Sequence, residues 1–275
     1  MAKQIISRST ATPGFLGLII DLSGSTAHDG IFNSILSALY QILDMLVTRN
    51  TVMDKVKDRM HVAVVGYNSR VYPLFQGTLT ELDDFLVNYT RDDFLQDRPE
   101  VKPQGLTHMG DAVAYMADLA SRFVDGQRSK GVAVPQAVVM HIGDGFPEER
   151  NRTDEEARRH FSEEAQRIMQ IKCDDGNLLF FNIHFNPGSE RPETVMPATT
   201  DHISDEDVRL LYDNSSVIPD DWISYARAQG FDTAVTGSRG MMSNTREPAQ
   251  LLRFMSWGTL TAPARVRETD IDDNV

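Results

Sequence analysis

Four short runs of consecutive apolar residues punctuate the chain: Gly14–Asp21 (GFLGLIID), Met60–Tyr67 (MHVAVVGY), 137–144 (AVVMHIGD) and 178–185 (LLFFNIHF). Each has a strand's length. Apolar residues at consecutive rather than alternate positions predict strands buried on both faces of a mostly parallel sheet. Between the runs the period changes. Ile31, Ile35, Leu39, Ile42 and Leu46 place one apolar stripe along a helix. Val113, Met116, Ala120 and Phe123 make a second stripe, and Ala157, Phe161, Ala165 and Ile168 a third. Strands alternating with helices predict right-handed crossovers and a three-layer α/β sandwich, Rossmann-like, with helices on both faces of the sheet. The polar connection Asn68–Ser69–Arg70 joins Met60–Tyr67 to 71–75 as a hairpin, which makes 71–75 an antiparallel edge strand. Residues 81–89 read as a short helix.

Beyond Phe185 the pattern weakens. Residues 186–201 carry three prolines and few apolar positions, and read as a long loop. Segments 205–212 and 220–229 are helical, the second starting at Pro219 and stopping at Gly230. Residues 233–235 read as a last short strand and 248–255 as a closing helix, with Gly240, Met241 and Met242 as core or loop packing between them. No linker composition divides the chain. The expected organisation is an N-terminal extension (1–13), one domain (14–258, with 186–258 as an extension bearing extra helices) and a polar, flexible tail (259–275).

Composition narrows the function classes. The 275 residues include 40 Asp and Glu against 27 Lys and Arg, a net charge of −13, and one cysteine. The acid excess argues against nucleic-acid binding, which needs clustered Lys and Arg to neutralise phosphates. Cys173 alone excludes an intramolecular disulfide framework and any multi-cysteine metal site. Residues 1–13 lack the apolar stretch of a signal peptide. The longest uninterrupted apolar runs fall short of the roughly 18–20 residues of a membrane span. The expectation is a cytoplasmic protein with no membrane partner.

Ligands of open α/β sheets bind beyond the carboxyl ends of the strands. Three loops fall there: Asp21–Leu22–Ser23–Gly24–Ser25, then Gly105 through Asp111 with Thr107, then Gly143–Asp144–Gly145. Together they bring two carboxylates and three hydroxyls to one end of the sheet. Each serine alone would more readily be read as a helix cap; the joint pattern reverses this in favour of a hard cation. His61, His141 and His184 lie in strands without close ligand spacing, and are expected to be packed rather than to bind zinc with Cys173. The paired aspartates elsewhere lack calcium-loop spacing and read as turn residues.

D-x-S-x-S, a Thr opening a later helix, and an Asp-Gly closing a later strand resemble the metal-ion-dependent adhesion site of von Willebrand factor A domains. The likeness covers roughly residues 14–185, and its overall look is similar to the bacterial intracellular members associated with tellurite resistance and stress. It implies a metal site of Asp21, Ser23, Ser25, Thr107 and Asp144. Ser23 and Ser25 would bind directly, Thr107 directly or through water, and the carboxylates through coordinated water. The implied metal is Mg2+, with Mn2+ or Ca2+ as alternatives. Its remaining position would take an Asp or Glu from another protein, such as a kinase- or phosphatase-associated partner. His28, His108, Glu148 and Arg150 would line the rim. Gly143 departs from the family's usual Thr or Ser, which removes a hydroxyl and loosens the loop. The alternative is a metal-dependent phosphohydrolase. An aspartyl phosphatase needs a second carboxylate two residues after its nucleophile, and Ser23 stands there instead. The expectation is therefore a binding module and no enzyme.

Overall fold

A computed structural model describes residues 6–98 and 101–259. Strand β1 (Gly14–Asp21) passes through a 3-10 turn (Gly24–Ala27) into helix α1 (Ile31–Arg49). A small hairpin, β2 (Thr51–Val52) and β3 (Lys55–Val56), precedes β4 (Met60–Tyr67) and β5 (Val71–Thr78). Helices α2 (Leu79–Asn88), α3 (Arg91–Asp97) and α4 (Met109–Ser129) follow, then β6 (Val138–Gly143), α5 (Asp154–Gln170) and β7 (Leu179–Phe185). The last part adds β8 (Thr194–Val195), α6 (Glu206–Asp213), α7 (Asp220–Ala228), β9 (Met241–Thr245) and α8 (Pro248–Thr259).

The main sheet has the order β5-β4-β1-β6-β7-β9-β8. β1 pairs parallel with β4 and β6, β6 with β7, and β7 with β9, while β5 lies antiparallel on β4. This is the three-layer α/β architecture read from the sequence. The two-residue β8, antiparallel to β9, finishes the opposite edge.

Successive strand residues point to opposite faces, so a strand covered on both sides must be apolar throughout. β1 shows this directly. Leu16, Leu18 and Ile20 join the core beneath α1, α7 and α8, while Phe15 and Ile19 join the core beneath α4 and α5. Helix α1 has the length and mean hydropathy (1.4) of a membrane span, and half of that stretch is buried inside the fold. Phe181 in β7 anchors the first core, stacked on Trp257 at 5.2 Å and edge-on to Phe254 and Trp222. Phe181→Ala is expected to cost about 3–5 kcal/mol of stability, measured by urea unfolding; a loss under about 1 kcal/mol would contradict this packing.

The C-terminal third corrects three readings. Residues 233–235 lie between two turns, closed by Ala234 N–H to the Phe231 carbonyl and Ser238 N–H to the Val235 carbonyl, and form no strand. The last parallel strand is instead Met241–Thr245, all five residues buried, with Met241 and Met242 paired to Asn182 and Ile183. Its polar half, Ser243, Asn244 and Thr245, carries no apolar signal, and β7 supplies the pairing that propensity does not. Helix α2 starts two residues earlier than expected because Thr78 and Glu81 form a reciprocal capping box. Thr259, assigned to the tail, is buried at the end of α8; the rest of the expected tail, 260–275, lies outside the described residues.

Candidate metal centre

The chain leaves β1 towards β4 on one side and later returns to β6 on the other, so the crevice at the carboxyl end of β1 is where an open α/β sheet receives a ligand. Asp21 is the last residue of β1 and is completely buried. Its Oδ1 accepts from the Ser23 backbone N–H at 2.8 Å. Its Oδ2 is buried and accepts no hydrogen bond from the described residues. A buried anionic oxygen without a donor is costly, and its presence at a strand end is the first sign that a cation belongs there.

The other predicted residues close around it. Ser23 and Ser25 place their hydroxyl oxygens 3.0 Å apart, and Ser25 Oγ donates to Asp144 Oδ1 at 2.9 Å. Ser23 occupies the N-cap position of the 3-10 turn, yet its side chain makes no capping bond; the hydroxyl faces the cluster instead. Thr107 stands just before α4 and is clamped to Glu148 by two backbone hydrogen bonds of 3.0 Å. Gly24 N–H to the Gly105 carbonyl, and Gln104 N–H to the Leu22 carbonyl, tie the first loop to the second.

Gly145 gives the tightest measure of convergence. A Cβ placed on it would lie 3.6 Å from Thr107 Oγ1, 3.7 Å from Ser25 Oγ and 3.8 Å from Asp21 Oδ2. One point therefore sees an oxygen from each of two loops and the strand end, while the third loop supplies Asp144. Gly143 has a different role from the one its missing hydroxyl implied. A Cβ there would sit 2.8 Å from Asp21 Oδ2 and 3.0 Å from Asp21 Cβ. Glycine at 143 makes room for Asp21.

The electrostatics point the same way. Burial, and then the neighbouring charge of Asp144, push the Asp21 carboxyl up to about 7, against partial relief from Ser23 and Tyr67. Burial also raises Asp144. Among the described residues no basic group eases Asp21, and His28 is the one that eases Asp144.

Behind them sit two neutral histidines. His141 Nε2 bonds the Tyr67 hydroxyl at 2.7 Å, and His184 lies 2.8 Å from the Asp144 carbonyl and 3.2 Å from the Asn244 backbone nitrogen. Burial pulls both from 6.5 to about 4. Among the described residues neither joins a group of three metal-type ligands, in keeping with packed strand histidines; the Cys173 thiol, pushed up to about 11 chiefly by burial, is a poor thiolate source. The unfolded chain binds protons that these imidazoles refuse, so their contribution to stability falls as pH drops from about 6.5 to 4. Asp21 acts oppositely, because its folded form holds a proton that the unfolded chain releases. Asp144, raised by burial, opposes them as Asp21 does, so in an Asp21→Asn, Asp144→Asn background urea unfolding is expected to show stability declining across that acid window. A flat profile would contradict neutral burial of the two histidines.

The rim residues divide. His28, Glu148 and Arg150 are exposed, and His28 lies close enough to Asp144 to lower its carboxyl slightly. His108 is engaged inward, with Nδ1 3.1 Å from Asp111 Oδ2 and Nε2 accepting from the Arg150 N–H at 3.3 Å. Glu149, Arg152 and His160 gather beside it. Sequence reasoning missed this group, since Glu149 and His160 belong to different elements and share no motif spacing.

No family model matches the sequence, and no curated protein matches it. Solved structures similar to it include manganese-loaded TRAP of Plasmodium vivax, at 16% identity and a TM-score of 0.47 over 90% of this chain and 74% of that one. Another is PTMP1 of the mussel byssus with a zinc-occupied MIDAS motif, at 14% identity and a TM-score of 0.45 over 92% of this chain and 46% of that one. The von Willebrand factor domain of the pili tip protein Mfa5 from Porphyromonas gingivalis shares 13% identity with a TM-score of 0.34, over 54% of this chain and 43% of that one. The chain thus spans less than half the length of the Mfa5 and PTMP1 chains it is similar to.

Proposed function

We propose that this chain is a metal-dependent protein-binding module. The observation that carries the reading is the meeting of Asp21, Ser23, Ser25, Thr107 and Asp144 at one end of the sheet, where the buried Asp21 Oδ2 accepts no hydrogen bond of ordinary length from the described residues. Hydroxyl and carboxylate oxygens are the donor set of a hard cation such as Mg2+ or Mn2+. Bound there, the ion would supply positive charge at the protein surface and a coordination position for a carboxylate. Ser23, Ser25 and Thr107 would contact it, while Asp21 and Asp144 would orient its waters. The partner is a protein presenting Asp or Glu.

The chain's own charge of −13 repels such a partner. Metal is therefore the switch: without it, carboxylate approach is opposed, and with it the local field inverts. We place the module in a bacterial intracellular stress or signalling setting, with kinase- or phosphatase-associated proteins as partners; the sequence resemblance supports this setting. No catalytic role is proposed, because Ser23 stands where an aspartyl phosphatase would need its acid. Immobilised chain in Mg2+ or Mn2+ is expected to capture a protein that EDTA releases and that the Asp21→Asn variant does not retain. Capture that survives both changes would overturn the reading.

A further inference from the structure

Beside the first site lies a second constellation. Asp111 in the first turn of α4, Glu149 in the loop after β6, and His160 on α5 each direct one ligand atom into a space where all three lie within 4.8 Å of one another. Glu149 is 5% exposed, and its buried Oε2 is ion-paired to Arg152. The Nη1 of Arg152 also lies 2.7 Å from His160 Nδ1 and 3.7 Å from Asp111 Oδ1. The guanidinium nitrogen therefore lies among the three ligands, nearest Glu149.

That arrangement leaves one atom with two incompatible roles. His160 Nδ1 faces the donating Arg152 at 2.7 Å and the accepting Glu149 Oε1 at 3.1 Å. A neutral ring nitrogen can accept from the first or donate to the second, but not both. A divalent cation removes the conflict, since the imidazole lone pair and both carboxylates would all direct electrons towards it. The supports are those of a built ligand set. His108 accepts at Nε2 from the Arg150 N–H, so its Nδ1 carries the proton and donates to Asp111 Oδ2 at 3.1 Å, the outer hydrogen bond that orients ligating carboxylates. Gly110 lacks the Cβ that would overlap the His160 ring.

We propose that Asp111, Glu149 and His160 form a second divalent-cation site, of the zinc or cobalt class, with the Arg152 guanidinium as its displaceable resident cation. One imidazole with two carboxylates favours these ions over Mg2+, which prefers an all-oxygen shell. Arg152 is more than a third exposed, so its head can swing into water when the ion enters. The site joins the Thr107 loop to the Asp144 loop, because Asp111 follows the first and Glu149 the second.

The test uses the full chain carrying Asp21→Asn, which silences the first site, titrated with Zn2+ by calorimetry and with Co2+ by visible absorption. One ion per chain is expected, with Co2+ bands of an N,O-ligated site. Both His160→Ala and Asp111→Asn should weaken binding at least tenfold, and Arg152→Gln should tighten it at least tenfold. The Arg152→Gln chain should also melt at a lower temperature without metal and recover with Zn2+, because Glu149 loses and then regains its counter-charge. Absence of stoichiometric binding, or binding indifferent to His160→Ala, would overturn the proposal. Failure of the first site would show separately, as a wild-type chain that Mg2+ does not stabilise.

Discussion

Asp21→Asn is expected to abolish the Mg2+-linked rise in melting temperature while leaving the metal-free protein at least as stable as wild type. The two halves have one cause. Asp21 is wholly buried, close to Asp144, with one oxygen accepting no hydrogen bond of ordinary length from the described residues, and its carboxyl is pushed up to about 7 by burial and by that neighbour. Asparagine keeps the oxygen that accepts from Ser23 N–H and removes the charge, so the metal-free chain sheds a repulsion. The cation loses a counter-charge. A ligand at a hundredfold excess over its Kd stabilises a fold by about 2.7 kcal/mol, and each kcal/mol moves the melting point of a chain this size by about 2–4 °C. The wild type should show that shift in Mg2+ and the variant none. A destabilised apo variant with an intact Mg2+ shift would mean that Asp21 is a structural residue only.

Gly143→Ala is expected to weaken Mg2+ binding at least tenfold, equivalent to about 1.4 kcal/mol. The added methyl would lie 2.8 Å from Asp21 Oδ2 and 3.0 Å from its Cβ, and the Cβ of a buried strand residue has little freedom to retreat. Gly143→Thr discriminates between two accounts of this position. If the site merely lacks a hydroxyl, threonine should tighten binding; if glycine is there to admit Asp21, threonine should weaken it as alanine does. Calorimetric titration of the three chains decides, and unchanged or tighter binding in both variants would contradict the steric account.

The sequence carried the centre of this fold well because its central strands are buried on both faces. GFLGLIID and MHVAVVGY have no alternative to a covered sheet, and the stripes of α1, α4 and α5 supply the cover. The edge beyond β7 was harder to read. Met241–Thr245 is half polar, and it is a strand because β7 offers a parallel edge and Asn182 pairs with Met241. The hydroxyls and carboxylates of the first site were legible because each motif is local to one loop. Their meeting is a property of topology. Two features had no local signal at all. The role of Gly143 depends on the Cβ of Asp21, a residue in a neighbouring strand. The grouping of Asp111, Glu149 and His160 depends on α4 and α5 packing side by side, which places residues far apart in sequence around one arginine.

The most direct test of the central claim is manganese anomalous scattering from crystals of the full chain grown with Mn2+. The account predicts an anomalous peak in contact with Ser23 Oγ and Ser25 Oγ, beside Thr107 and between Asp21 and Asp144. Its disappearance in Asp21→Asn crystals grown the same way would assign the ion to that carboxylate. Full-strength anomalous data showing no peak there in the wild-type chain, or an equal peak in the variant, would contradict the account.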